Sequence, residues 1–436
     1  MIKKRKIRRK NTRKTYVIVL PKKLNDEIDG LGLSKVKSEQ AKNFVNFLIK
    51  KTNSENTDFV YIPTNFLKKH ISSSYMSFLQ PLMEVGIIER GGYSSTTKNI
   101  CYKYRINREF FEGGVSLVNL TNQHQSVESD FCMFSEQFKQ DFNTLVIDLP
   151  KLKEASLNNL TNLDYKSNES IDDRILFYNN GYKKYPLTKK RALQIAKEDG
   201  LDVIQDGITL FFCKKEEFLQ NAVELKQFHH NSVLKKLEHK ILHANRNKTN
   251  NRLDTNITNM PSFMLEIIKQ DNNLVEIDMA NAQMTFLANK IEDNSKDTNL
   301  SLFKTLCSEG ELYNHIMKES GSDCLKSSKL MTFEVLFSSE KNNSENVKQF
   351  YKIFPSLKKY VNKMKSDIGY KEFAVDLQKE ESKLFIDGFL KSLIERGVFC
   401  LTKHDSLIVK EEDSNFVMAI CCEIMLKNNL KCTLRR

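Results

Sequence analysis

Residues Leu274–Lys290 read LVEIDMANAQMTFLANK. Leu274 to Asp278 alternate with the two-residue period of a strand, and MTFLANK then takes up helical spacing. Asp278 therefore stands where a strand ends and a turn begins, a place from which a carboxylate points into a cleft. Further along, VFCLTKHDSLIV at 398–409 has two apolar halves around a polar Lys-His-Asp-Ser turn, predicting a hairpin with His404 and Asp405 at its tip. Between these segments, KLMTFEVLFS at 329–338 sets Lys329, Phe333 and Phe337 four residues apart on one helix face. Carboxylates at such turns can hold divalent ions, and a cation with two rings can hold a nucleoside triphosphate by its phosphates and base. Two such loops side by side would clamp two magnesium ions about 3.5–4 Å apart, one activating an attacking hydroxyl and one stabilising the leaving pyrophosphate. Lys329 would neutralise the triphosphate and could protonate the leaving group. Any one of these aspartates alone would read as a turn cap; the ordered set points to polymerase chemistry.

The bulk composition is compatible with that chemistry. With 436 residues and 40% hydrophobic content, the chain can bury a large core in two or three domains. The formal charge of +13 is concentrated at the start, where Met1–Lys14 (MIKKRKIRRKNTRK) holds nine Lys or Arg and no acid. Such a basic arm attracts phosphate backbones without reading sequence, although it also fits a solubilising or targeting tail. The nine cysteines form no CxxC pair, which argues against a disulfide framework or a zinc ribbon and for a reducing compartment. There is no apolar run of about 18 residues, and polar residues follow the basic start where a signal peptide would be apolar, so a cytoplasmic protein that does not enter a membrane is expected. No GxGxxG or GxxxxGK[ST] loop occurs, so dinucleotide-binding and P-loop chemistries lack their phosphate cradle.

The remaining sequence predicts further modules. Residues 38–107 read as short helices followed by a hairpin: Ser38–Lys51, a second start at PTNFLKKHI, an amphipathic helix ending at Gly86, then IIER, a turn at GGYSSTTKN, and ICYKYRI. This is a winged-helix-like pattern, with Lys68, Lys69, Ser72–Ser74 and Tyr75 as candidates for duplex contact and a protein-binding role as the alternative. Residues 108–170 read as a linker with some helix. Over 171–251 the pattern is helical, with LTKKRALQIAKEDG as one helix and Glu216 to about Asn245 as a long one. His239 and His243 there have ligand spacing, but no acid or cysteine completes a metal set, so a basic helix facing solvent or phosphate is expected.

The C-terminal segments, from Arg252 onward, resemble the family A DNA polymerases and the single-subunit phage-type RNA polymerases. DMANAQ is similar to that superfamily's motif A, KLMTFEVLFS to motif B and HDS to motif C. NNRLDTNITNMP resembles a segment that grips nucleic-acid backbone, and LQKEESKLFIDGFLKSLIERG the glutamine-led helix before motif C. The resemblance implies an α/β (α+β) right-hand fold, with a palm and reduced fingers over 252–436, the fingers at about 304–367, and a thumb-like region at 171–251. It implies Asp278, Asp405 and the Met279 carbonyl as ligands of two Mg2+ ions, with Mn2+ as an alternative. Lys329, Lys326, Phe333, Phe337 and Gln283 would line the nucleotide site, and Arg252, Gln378 and His404 would contact DNA template or primer.

Several positions depart from the family pattern. Leu325 stands where the superfamily has an arginine, with Lys326 one position off; Glu334 and Ser338 stand where glycines are usual. Gln283, bulky where DNA polymerases carry an acidic residue, favours deoxynucleotides, whereas HDS is the RNA polymerase form and Phe337 lacks the usual tyrosine hydroxyl. No exonuclease-like DxE segment is seen. The expectation is a small DNA polymerase of phage, plasmid or mobile-element type. An RNA polymerase or primase-like enzyme, and a non-catalytic DNA-binding initiator, are the alternatives.

Overall fold

In a computed structural model, which describes residues 15–55, 59–96, 99–121, 133–171, 176–179, 184–206, 209–291, 297–322 and 324–436, the architecture is mixed α/β, with many helices and small, mostly antiparallel sheets. Met1–Lys14, the basic arm of the sequence, lies outside the described residues. Contacts divide the chain into two units, Met1–Val127 with Lys153–Ile241, and Glu128–Leu152 with Leu242–Arg436. Among the described residues no helix is long and apolar enough to cross a membrane.

In the first unit, strand Thr15–Pro21 pairs antiparallel with Val115–Thr121. Helix Lys35–Glu55, longer than expected at both ends, buries Ala41, Phe44, Val45 and Leu48, one stripe at helical spacing. Against that stripe pack Leu67 of helix Thr64–His70 and Phe78, Leu79 and Leu82 of helix Met76–Glu84. The Phe44 ring centre lies 6.0 Å from Phe78 and 5.7 Å edge-on from Tyr104. A three-stranded antiparallel sheet, ordered Val60–Pro63, Asn99–Ile106, Ile88–Thr96, closes the layer.

Some expectations for this unit change. The turn expected over GGYSSTTKN shortens: the register shifts between Arg90 and Tyr93, so Gly91 and Gly92 make a bulge and the paired strands continue to 96 and 99. A side chain at Gly91 would run into the aliphatic stem of Lys103. Tyr75 and Ser72, expected to reach a duplex, are buried, whereas Lys68 and Lys69 are exposed. The stretch 108–170 holds strand Val115–Thr121 as well as helices Met133–Asn143 and Leu149–Thr161.

Within 171–251, helix Lys189–Asp199 ends at Gly200 in the left-handed conformation, as its sequence predicts. The region is not purely helical, however, since strands Leu176–Asn179, Lys184–Leu187, Asp202–Asp206 and Thr209–Cys213 join Lys166–Ser167 in a five-stranded sheet. Their apolar runs are too short to register as strands in sequence, and only the fold supplies their partners. The long helix is Lys215–Glu238 and stops before His239: Lys240 has φ 50° and the Ile241 N–H closes back on the Lys236 carbonyl at 2.8 Å. His239 and His243 consequently do not share a helix face, and His230 is buried against Ser156 instead.

The second unit centres on a four-stranded antiparallel sheet in the order Cys400–Lys403, Ser406–Lys410, Leu274–Met279, Leu434–Arg435. Leu401, Leu407, Ile408, Val409, Leu274 and Ile277 are buried in it. Helix Met133–Asn143 packs Phe134, Phe138 and Phe142 at four-residue spacing, and its Asp141 carboxylate accepts the Cys400 N–H at 3.3 Å. Between the strands that carry Asp278 and Asp405, the chain runs through helices Ala282–Lys290, Thr298–Glu309, Leu312–Ser320, Leu325–Phe337, Glu345–Ile353, Pro355–Ile368 and Tyr370–Ser382, the last continuing as a π-helix over Lys383–Leu390.

Candidate active site

Asp278 and Asp405 meet because their strands are sheet neighbours. Asp278 lies in register with Ser406, and the Met279 N–H donates to the Asp405 carbonyl at 3.2 Å. Lys403 pairs with Ser406, which leaves His404 and Asp405 as a two-residue hairpin turn, with His404 in the left-handed region at φ 57°. On the other side, Asn281 at φ 54° turns the chain from the strand into helix Ala282–Lys290. The strand-to-turn reading of both segments therefore holds.

The electrostatics are those of a crowded acidic cleft. Asp278 keeps solvent access, but surrounding protein, then the Asp405 charge and then Glu276, push its carboxyl up to about 6, against the pull of Lys329 and the Met279 N–H. Glu276 is itself occupied: burial would raise it, but a 2.6 Å hydrogen bond from the Ser406 hydroxyl and the Lys269 ammonium at 2.9 Å hold it below the usual carboxylate range. That leaves Asp278 and Asp405 as two adjacent carboxylates whose repulsion a cation would relieve.

Helix Leu325–Phe337 presents Lys329, Phe333 and Phe337 on its exposed side, as the four-residue spacing predicts. The two rings are 44% and 38% exposed and lie 5.9 Å apart, so they are available to a ligand instead of filling the core. Lys326, one turn earlier, is also exposed. The Lys329 ammonium lies 5.6 Å from the centre of the Tyr313 ring. Burial, with the nearby charges of Asp405 and Asp278, pushes the Tyr313 phenol up to about 12 against a hydrogen bond with Thr332. Thr332 in turn donates to the Lys329 carbonyl at 2.7 Å. Tyr313 thus belongs to the site although no motif in the sequence marks it.

A second polar cluster adjoins the carboxylates. Gln283 is buried and its amide donates to Glu381, which is 1% exposed and feels the Asp405 charge. Arg252 also donates to Glu381, from Nε at 2.7 Å and Nη2 at 2.8 Å. Burial raises the Glu381 carboxyl above its ordinary value, and the Arg252 and Gln283 contacts only partly offset that. Arg252, expected to grip nucleic acid, is therefore committed to a carboxylate in this structure. Gln378 accepts from the Asn250 amide at 3.1 Å. Surrounding protein, followed by the Arg252 charge, lowers the His404 imidazole below its ordinary value.

Among the described residues, no group of three or more His, Cys, Asp or Glu side chains is arranged to hold a metal. The donors expected from the sequence, the Asp278 and Asp405 carboxylates and the Met279 backbone carbonyl, are all hard oxygens. No family model and no curated protein matches this chain. The site is therefore characterised by its own geometry. Glu381 escaped the sequence reading because its contacts to Arg252 and Gln283 span 129 and 98 residues.

Proposed function

We propose that the unit Glu128–Leu152 with Leu242–Arg436 is a template-directed nucleotidyltransferase, a small DNA polymerase adding deoxynucleotides to a 3′-hydroxyl. The observation that supports this most is the meeting of Asp278 and Asp405 at one end of an antiparallel ladder, with Lys329 near enough to act on Asp278. In this reading the four-stranded sheet is the palm and the helices over 304–367 are reduced fingers. The helices and hairpin of 38–107 are a winged-helix-like module with Lys68 and Lys69 available to nucleic acid, a role in keeping with a net charge of +13.

The donor set fits magnesium, or manganese as the alternative: two carboxylates and a carbonyl, with Asp278 driven up by burial and then by its acidic neighbours. Magnesium is commonly held by one or two protein carboxylates, with water and substrate phosphates completing the shell. Asp278 and Asp405 would hold such ions, whose chemistry when bound would be to lower the pKa of an attacking hydroxyl and to offset phosphate charge. In this reading Lys329 offsets the remaining negative charge of a triphosphate and delivers a proton toward the leaving pyrophosphate. Phe333 and Phe337 offer exposed rings to the base, and the Tyr313 ring lies beside the Lys329 ammonium.

Extension of a labelled primer on a DNA template with magnesium, with dNTPs and NTPs in parallel arms, tests the reading. Primer-dependent dNTP incorporation that disappears in Asp405→Ala is the expected result. Failure of every arm, with nucleic acid still bound, would leave a DNA-binding initiator. One observation favours ribonucleotides: the buried Gln283 Oε1 has no hydrogen-bond partner and could accept from a 2′-hydroxyl. Primer-free NTP products would move the assignment to an RNA polymerase or primase.

A further inference from the structure

Glu334 stands where the resembled family has a glycine, and the fold gives its side chain a use at the C-terminal end of helix Leu325–Phe337. The last carbonyls of a helix have no partner within it and carry the negative end of its dipole. Here the Lys365 ammonium, on helix Pro355–Ile368 and only 3% exposed, donates to the Val335 carbonyl at 2.5 Å and to the Ser338 carbonyl at 2.6 Å. Its Nζ also lies 5.9 Å from the centre of the Phe373 ring on helix Tyr370–Ser382. Burial lowers this ammonium to about 8, against the Glu340 charge, so it remains a cation at neutral pH.

The Glu334 carboxylate is gripped from the other side. Oε1 accepts from the Asn342 amide at 3.1 Å, and Oε2 accepts from Asn346, buried on helix Glu345–Ile353, at 2.8 Å. Asn342 in turn accepts the Ser344 N–H at 3.1 Å, and the Ser344 hydroxyl accepts the Val347 N–H at 3.3 Å as the cap of that helix. Two neighbouring helices and the intervening loop thus hold one helix end through four side-chain hydrogen bonds. The held end carries Phe333 and Phe337, whose rings stay exposed.

We propose that Lys365 and Glu334 are positioning residues that clamp the C-terminal turn of helix Leu325–Phe337 and so fix the Phe333–Phe337 face relative to Asp278 and Asp405. The proposal rests on the nucleotidyltransferase reading for its functional consequence, but the clamp itself is a property of the fold. Without it, the face that receives the nucleotide is free to shift while the carboxylates, carried by the sheet, stay in place.

The test pairs hydrogen–deuterium exchange over residues 325–344 with steady-state primer extension, for the wild type, Lys365→Met and Glu334→Gln. Glu334→Gln keeps the side-chain shape and serves as the informative variant should Lys365→Met fail to fold. Exchange about tenfold faster in this segment, with exchange in the 274–279 strand unchanged, is expected. The KM for nucleotide should rise about tenfold with a smaller change in kcat. A merely destabilising effect would instead lower the active fraction and hence the apparent kcat at constant KM; that pattern, or unchanged exchange, overturns the proposal. If the wild type makes no product at all, the enzymatic reading falls, and with it the nucleotide role of the clamp, whereas unchanged exchange with an active wild type removes the clamp alone.

Discussion

Arg252 and Glu381, 129 residues apart in sequence, meet as a two-pronged ion pair at 2.7 and 2.8 Å. Because the Glu381 side chain is 1% exposed, removing only its partner strands a buried charge. Arg252→Ala is predicted to destabilise the chain by about 3–5 kcal/mol in urea denaturation. Replacing both residues, as Arg252→Met with Glu381→Leu, should recover much of the loss, since the double change leaves no unpaired ion. If the double variant is as unstable as Arg252→Ala, the pair is not what holds this cluster.

Lys329 and Phe333 should separate by their kinetics. Loss of a preorganised cation at developing negative charge costs on the order of 10²–10³ in kcat, which is the expectation for Lys329→Met. Phe333→Ala removes an exposed ring that, in the proposed reading, touches the nucleotide in ground and transition states alike, so it should raise KM about tenfold with little change in kcat. Far-ultraviolet circular dichroism should be unchanged in both, because neither side chain is buried.

His230 predicts how the first unit responds to acid. Its Nδ1 shares a 2.9 Å hydrogen bond with the Ser156 hydroxyl, and burial, followed by the His229 and Lys226 charges, lowers its pKa from 6.5 to about 4. The unfolded chain therefore binds the proton more readily between those values, so stability is full above 6.5 and is lost as the pH falls toward 4. At 1.36 kcal/mol per unit, the loss amounts to roughly 3 kcal/mol. A His230→Gln variant should show a shallower decline in stability over this window, measured by denaturant titration at a series of pH values.

Gly310 links a helix end to the turn that follows Asp278. At φ +75°, a Cβ added there would lie 2.8 Å from the Ala280 Cβ and 3.0 Å from Arg435 Nη2, while the Gly310 carbonyl accepts from that same arginine at 2.7 Å. Gly310→Ala is predicted to cost about 1–3 kcal/mol through backbone strain and overpacking. Because Ala280 follows Asp278 by two residues, synthesis should fall further than Gly200→Ala makes it fall; Gly200 has a similar left-handed backbone but open space around it. Equal effects on activity would show that the Ala280 contact does not matter.

The legible part of this protein was the part governed by short-range periodicity. The strand Leu274–Met279, the hairpin tip at His404–Asp405 and the ring-bearing face of Leu325–Phe337 could be read from sequence, since two-residue and four-residue spacings mark them locally. The overlong reading of helix Lys215–Glu238 failed where a left-handed Lys240 stops the helix without a glycine to announce it. The turn expected over GGYSSTTKN is shorter than its sequence suggests, because Gly91 and Gly92 form a bulge within the strand, which only the strand pairing reveals. The five-stranded sheet was missed because its strands are two to five residues long and owe their apolar environment to partners distant in sequence.

By itself the sequence determined which residues carry the acidic, cationic and aromatic groups, and that Asp278 and Asp405 sit at chain reversals. Tertiary structure alone decided that the two reversals are neighbours, since strand order is set by long-range pairing that no local pattern encodes. It also decided that Arg252 is tied to Glu381, that Tyr313 underlies Lys329, and that Glu334 and Lys365 hold the end of one helix. Each of these contacts joins residues distant in sequence, and its partner is chosen by packing, not by distance along the chain.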